Sequence, residues 1–264
     1  MHSYLTNEYK ETIAGSEIYR SINKSKKKTR YKKLIIGDST ANQFFNNRED
    51  NDSIYYLACN QAIGVCGHFF LLNNYIKAGN LPEEVYMVYN PLSFANNLDQ
   101  TFTYHYFLKP FYNNEYKPLM TCTVYNQIKK IPYYYLCQAP FILTSSWRPQ
   151  YKPEERDYTF VSPISCEYLR KIDSLSYEYK FKLYLIPSLV DKNKQKEIES
   201  FERDEFEKEK YAQKLTIYLD NIIYLNDSCF SDGTHLRPSL IKQYKPLLER
   251  EMADIKKIYT HHHI

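Results

Sequence analysis

The chain has 264 residues, 43% of them hydrophobic and 25% charged, the balance of a water-soluble globular protein with room for one large domain. Lys and Arg exceed Asp and Glu by only four, too weak a surplus to point to nucleic acid or another polyanion as partner. No run approaches the ~20 apolar residues of a membrane span, and residues 1–30 are too polar for a signal peptide, so any signal or anchor would lie outside this chain.

Residues 1–30 read as a polar lead-in with room for one short helix, and the basic run from Lys24 to Lys33 as its solvated end. Leu34, Ile35 and Ile36 then form a short, fully apolar strand that stops at Gly37, as expected of a buried parallel strand. A helix starts near Ala41. Further strands are predicted over 54–58 and 84–89, with a helix over 67–78 between them. From about residue 95 to 165 the alternation breaks into an insertion rich in aromatics and prolines, placed over the sheet's edge or active face. It resumes with a helix over 166–179, a strand over 181–186 and a long charged helix over 192–215. The last strand is expected at 222–225 and a closing helix at 238–258. Alternating strands and helices predict an α/β fold, a parallel sheet covered on both faces, with ligands at the carboxyl ends of the strands. Residues 31–260 make one domain with its insertion, and 261–264, with three of its four residues histidine, a tail.

Tyrosine is over-represented, with 28 Tyr and 14 Phe against one Trp. Such a stock of amphipathic rings suits a cleft for sugars or other polar ligands, although a general compositional bias toward Tyr, Asn, Lys and Ile explains it equally. The six cysteines show no metal-like spacing, and their even number permits disulfides without requiring them.

Ser39 stands where the first strand gives way to a helix, and Asp232 precedes His235 by three residues in the loop after the last strand. A serine hydroxyl needs an adjacent base, and that base a third group to hold its tautomer. The predicted strand order brings all three to one edge. Ser39 also suits a helix cap, and the Asp232–His235 segment a surface turn. Residues 33–41 (KLIIGDSTA) and 227–238 (DSCFSDGTHLRP) together resemble the first and last blocks of the SGNH (GDSL-like) hydrolases. That resemblance implies a flavodoxin-like three-layer α/β/α sandwich and serine-dependent hydrolysis or transfer of an acyl ester, with no cofactor and no metal. By the match Ser39 is the nucleophile, His235 the base and Asp232 its orienter. The middle blocks map onto residues 59–67, where Gly64 and Asn60 are candidate oxyanion or substrate donors, and onto Asn90 after the third strand. The glycine and second asparagine of the family's third block are absent. That degenerate pattern resembles the envelope-associated relatives that modify polysaccharides. It implies an acylated carbohydrate or small ester as substrate, a cell-envelope, periplasmic or extracellular location, and a membrane-associated partner. The alternative is a relative that kept the scaffold, lost part of its oxyanion hole, and binds or assembles glycans. His105 competes for the role of base, and Trp147 with Arg148 for an anion or sugar clamp.

Overall fold

The structure, a computed structural model, describes residues 13–49, 51–138 and 155–261. Trp147, Arg148, His262 and His263 lie outside the described residues. Four parallel strands, β1 (Lys33–Gly37), β2 (Ile54–Tyr56), β3 (Glu84–Tyr89) and β4 (Lys182–Pro187), pair in the order β2-β1-β3-β4. Leu34 lies opposite both Tyr55 and Val85, and Val85 opposite Leu183. A two-residue strand β5 (Val190–Asp191) follows β4 closely and pairs in parallel with β6 (Tyr224–Leu225). With β6 beside the continuation of β4, the chain runs through the sheet in a doubly wound order.

Alternation along the strands sends side chains to two separate cores. Leu34, Ile36, Val85, Met87, Leu183 and Leu185 join one cluster; Ile35, Tyr86, Val88, Tyr184 and Ile186 join the other. The first is covered by α1 (Ile13–Ser25), α3 (Gly64–Lys77) and α5 (Pro163–Tyr179), through Ile18, Phe70 and Ile172 among others. The second is covered by α2 (Ser39–Phe44) and α8 (Pro238–His261), through Ala41, Phe44, Leu248 and Ile255. The result is a three-layer α/β/α fold. Because both faces are buried, β1 can be uniformly apolar, with Leu34, Ile35 and Ile36 all at 0% exposure.

Several elements differ from their sequence-based expectation. Helix α1 is part of the core, since Ile18 and Ile22 are buried, and Lys24 at its end is buried too. The Lys24 ammonium donates to Asn47 O at 3.0 Å and lies 4.6 Å from the centre of the Tyr55 ring, so it is no solvated charge. The predicted long helix over 192–215 is broken. Short turns at Lys192–Lys194 and Arg203–Glu205 alternate with α6 (Gln195–Glu199), and α7 (Ala212–Asp220) comes last. Ile198, Phe206 and Tyr211 are all buried here, at spacings that no single helical face provides. Phe201 stacks on Phe160 at 4.7 Å, and Glu205 accepts the main-chain N–H groups of Phe160 and Val161, which fixes the break.

The described part of the insertion, including the short α4 (Cys122–Lys130), packs against α3 and α5. Phe107, Phe111 and Tyr116 all meet the Phe70 ring, at 6.1, 5.5 and 5.4 Å between centres. Tyr75, Tyr89, Tyr104, Tyr116, Tyr168, Tyr184, Tyr211 and Tyr218 are each less than 2% exposed. For three of these rings a main-chain carbonyl takes up the hydroxyl: Tyr75 donates to Tyr31 O, Tyr168 to Leu119 O and Tyr218 to Tyr89 O, all within 2.9 Å. Much of the tyrosine excess is therefore core material.

Candidate active site

The site grows from the carboxyl end of β1. Gly37 is the last residue of that strand, and a Cβ placed there would fall 2.1 Å from Val88 O, so only glycine lets β1 and β3 approach this closely. Asp38 follows as the N-cap of α2, leaving Ser39 as the first helical residue rather than the cap itself. The Asp38 carboxylate is fully buried and takes hydrogen bonds from four residues. Its Oδ1 accepts from Thr40 N at 2.9 Å, Thr40 Oγ1 at 2.5 Å and Ala41 N at 3.4 Å. Its Oδ2 accepts from Asn90 N at 2.8 Å and Ser93 Oγ at 2.6 Å. One carboxylate thus caps the helix that Ser39 begins and ties it to the end of β3.

Beneath Gly37 lies a buried ring. His68 Nε2 sits 2.6 Å from Gly37 O, and the Tyr89 hydroxyl contacts Nδ1. Burial pushes the His68 pKa down to about 4, against the pull of the Gly64 and Gly37 carbonyls and Asp38. Nδ1 also lies 2.9 Å from Gly64 O, so a neutral ring, with one N–H, can donate to only one of the two carbonyls.

The loop after β6 carries Asp232 and His235. Asp232 Oδ1 accepts from Thr234 N at 3.0 Å and His235 N at 2.8 Å, an Asx turn that presents Oδ2 to the ring. His235 Nδ1 lies 2.8 Å from Asp232 Oδ2, and Nε2 lies 2.8 Å from Ser39 Oγ. Burial would raise the Asp232 pKa, but hydrogen bonds from the His235 main chain and ring and from Thr234 N–H hold it below its usual value. An ionised Asp232 that accepts Nδ1–H leaves Nε2 free to take the serine proton. His105, the competing histidine, is 3% exposed in the short helical turn Tyr104–Leu108 of the insertion and is not the ring that meets Ser39.

The donors divide. Thr40 and Ala41 give their N–H groups to Asp38 Oδ1 and Asn42 gives its own to Asp38 O, so the Ser39 N–H is the first-turn amide with no partner among the described residues. Asn90, 4% exposed, uses Oδ1 to accept from Leu92 N at 3.0 Å, and its Nδ2 has no partner among the described residues. Asn60 caps the turn Gln61–Ile63 in the same way, its Oδ1 accepting from Ala62 N at 2.9 Å. Gly64 is a correction. Its N–H closes that turn by donating to Gln61 O, so no proton there is available to an oxyanion, and its φ of 59° sets the path of the chain beyond. The conformational need for glycine is real, but it serves that path.

Sequence reasoning passed over Glu17. Its carboxyl accepts from Asn42 Nδ2 at 3.3 Å, one helical turn beyond Ser39. Burial raises its pKa to about 7, offset in part by Arg20, His235 and Arg48. The folded state therefore holds a proton on Glu17 that the unfolded chain releases near pH 4.5, and this group makes stability fall as pH rises from about 4.5 to 7. Glu17→Gln is expected to be more stable than wild type at pH 8, by about 1–3 kcal/mol, with the difference vanishing near pH 4.5. Urea unfolding of both proteins across that range checks it, and a pH-independent difference would refute the assignment.

No family model matches the chain, and no curated protein does. Among solved structures, the crystal structure of a Bacteroides fragilis protein named a "putative acylhydrolase" is similar over 92% of this chain and 98% of its own. The two share 11% identity and a TM-score of 0.42. Similarity at that level says nothing by itself about chemistry.

Proposed function

We propose that the protein is a serine-dependent ester hydrolase or O-acyltransferase. The observation that supports this reading is the unbroken chain Ser39 Oγ, His235 Nε2, His235 Nδ1 and Asp232 Oδ2, with both contacts at 2.8 Å and set at the carboxyl ends of the strands. In the reaction Ser39 Oγ attacks the ester carbonyl as its proton passes to His235 Nε2. The carbonyl oxygen becomes an oxyanion held by Ser39 N–H and Asn90 Nδ2. His235 then protonates the departing alkoxide, and the acyl group rests on Ser39. Water, or a sugar hydroxyl in the transfer reaction, gives its proton to His235 and attacks the acyl-serine; His235 returns that proton to Ser39 Oγ. An acylated glycan of the cell envelope, met beside a membrane-associated partner, is the setting implied by the resemblance to envelope-associated SGNH relatives. Among the described residues no helix is long and apolar enough to cross a membrane.

One observation favours a second reading. With the Gly64 N–H engaged by Gln61 O, the oxyanion hole has fewer donors than the sequence match implies, as expected of a scaffold kept for glycan binding or assembly. A fluorophosphonate probe separates the two. Labelling that maps to Ser39 and disappears in Ser39→Ala supports the hydrolase, whereas a folded wild type that stays unlabelled supports the binding protein.

A further inference from the structure

Ser39 begins α2, and Gln43 lies one turn further along the same face. The Gln43 side chain does not turn to solvent. Its Nε2 donates to Leu236 O at 3.1 Å, and its Oε1 accepts from Leu236 N at 3.1 Å. One planar amide therefore satisfies both main-chain groups of the residue that follows His235, as a neighbouring strand would. Two parallel hydrogen bonds fix rotation as well as distance.

The rest of the His235 loop is tied mainly to itself. Ser231 N and Oγ both donate to His235 O, at 2.8 and 3.0 Å. Arg237 N donates to Cys229 O, and Phe230 bridges Leu236 in antiparallel fashion. These bonds shape the hairpin but do not place it against the serine. Among the described residues, the Gln43 pair and the Ser39–His235 contact itself are the hydrogen bonds that join α2 to this hairpin. The Leu236 side chain, 2% exposed, is buried in the core that also holds Phe44 and Leu248, which supplies apolar contact but little directional control.

We infer that Gln43 is a positioning residue, which sets the separation and tilt of His235 relative to Ser39 by clamping the adjacent peptide to the nucleophile's own helix. The inference rests on the serine-hydrolase reading. A misplacement of about 1 Å at reacting groups costs on the order of 10²-fold in rate, so the clamp should show in turnover rather than in substrate binding.

Gln43→Met keeps the length and apolar stem and removes both hydrogen bonds. It is expected to lower kcat on an activated ester by about 10–100-fold, with KM within about two-fold of wild type. The second-order rate of fluorophosphonate labelling should fall by the same factor. All are measured well below the melting temperature of each protein, where a residue that merely adds stability leaves kcat unchanged. Gln43→Glu, which can still accept from Leu236 N, provides a second variant should the first fail to fold, and is expected to lose kcat in the same way. A kcat and labelling rate within two-fold of wild type in a folded variant overturn the inference. If wild type neither turns over nor labels, it is the hydrolase reading that falls. The clamp is then judged from the His235 imidazole ¹⁵N shifts, which need no substrate. The Nε2 shift in Gln43→Met should move toward that of Ser39→Ala, and an unmoved shift overturns the inference there too.

Discussion

Replacing His235 by alanine is expected to lower kcat/KM for ester hydrolysis by about 10⁵–10⁶-fold, and Asp232→Asn by about 10⁴-fold. The difference follows from the geometry. His235 is the ring within 2.8 Å of Ser39 Oγ, so without it the hydroxyl keeps its proton. In the proposed reaction Asp232 acts through the ring, its Oδ2 2.8 Å from Nδ1 and so placed to hold the proton there. An asparagine there can present an N–H to Nδ1 and turn the ring into the tautomer whose Nε2 cannot accept. Since the two residues work as one unit, the double variant should lose no more than His235→Ala alone. Folding should survive both changes, because the side chains of His235 and Asp232 are 30% and 57% exposed and hold no core together. Steady-state kinetics on an activated ester, with near-ultraviolet circular dichroism to confirm the fold, test all three proteins. Additive losses, or a drop below about 100-fold for His235→Ala, would show that the hydrogen-bonded chain is not the working one.

The juxtaposition of Ser39, His235 and Asp232 was legible because each half is a short-range pattern. An apolar run ending in Gly-Asp-Ser predicts a strand, a tight turn and a helix start, and Asp-Gly-Thr-His predicts a turn that folds a carboxylate back on a ring. The alternation of elements then put both at one edge of the sheet. What failed to show were properties that depend on where a group's hydrogen bonds go. Gly64 looked like a free amide after the second strand, but the turn through Ala62 and Ile63 lays its N–H on Gln61 O. Gln43 carries no local sign of its contact, since its partner lies 193 residues away. The charges of 192–215 suggested a solvated helix, and the buried positions of Phe206 and Tyr211 overruled them. Tyrosine misled in a similar way, since composition reports how many rings there are and not whether carbonyls deep in the fold meet their hydroxyls.

Asp38→Asn carries the second large effect, and it joins stability to catalysis. The substitution is nearly isosteric, yet the Oδ2 site faces two donors, Asn90 N–H at 2.8 Å and Ser93 Oγ at 2.6 Å. The Ser93 hydroxyl can rotate and accept from a new amide. The Asn90 N–H cannot, so it meets an NH₂ group in a fully buried site. Losing a charge-assisted hydrogen bond and leaving a buried donor opposed costs about 3 kcal/mol. The strain falls on the residue whose Nδ2 is the open side-chain donor at the end of β3, so kcat should drop by about 10²-fold in the protein that remains folded. Ser93→Ala is the control. It removes one donor to the same oxygen, leaves Asn90 N–H paired, and should cost only about 1 kcal/mol with kcat near wild type. Denaturant unfolding and kinetics on the three proteins separate the contributions. Were Ser93→Ala to match Asp38→Asn in both measurements, the Asn90 main-chain bond would not be what holds the Asn90 side chain in place. If Asp38→Asn lost stability alone, Asn90 would lie outside the reaction, and Ser39 N–H would be left to hold the oxyanion without it.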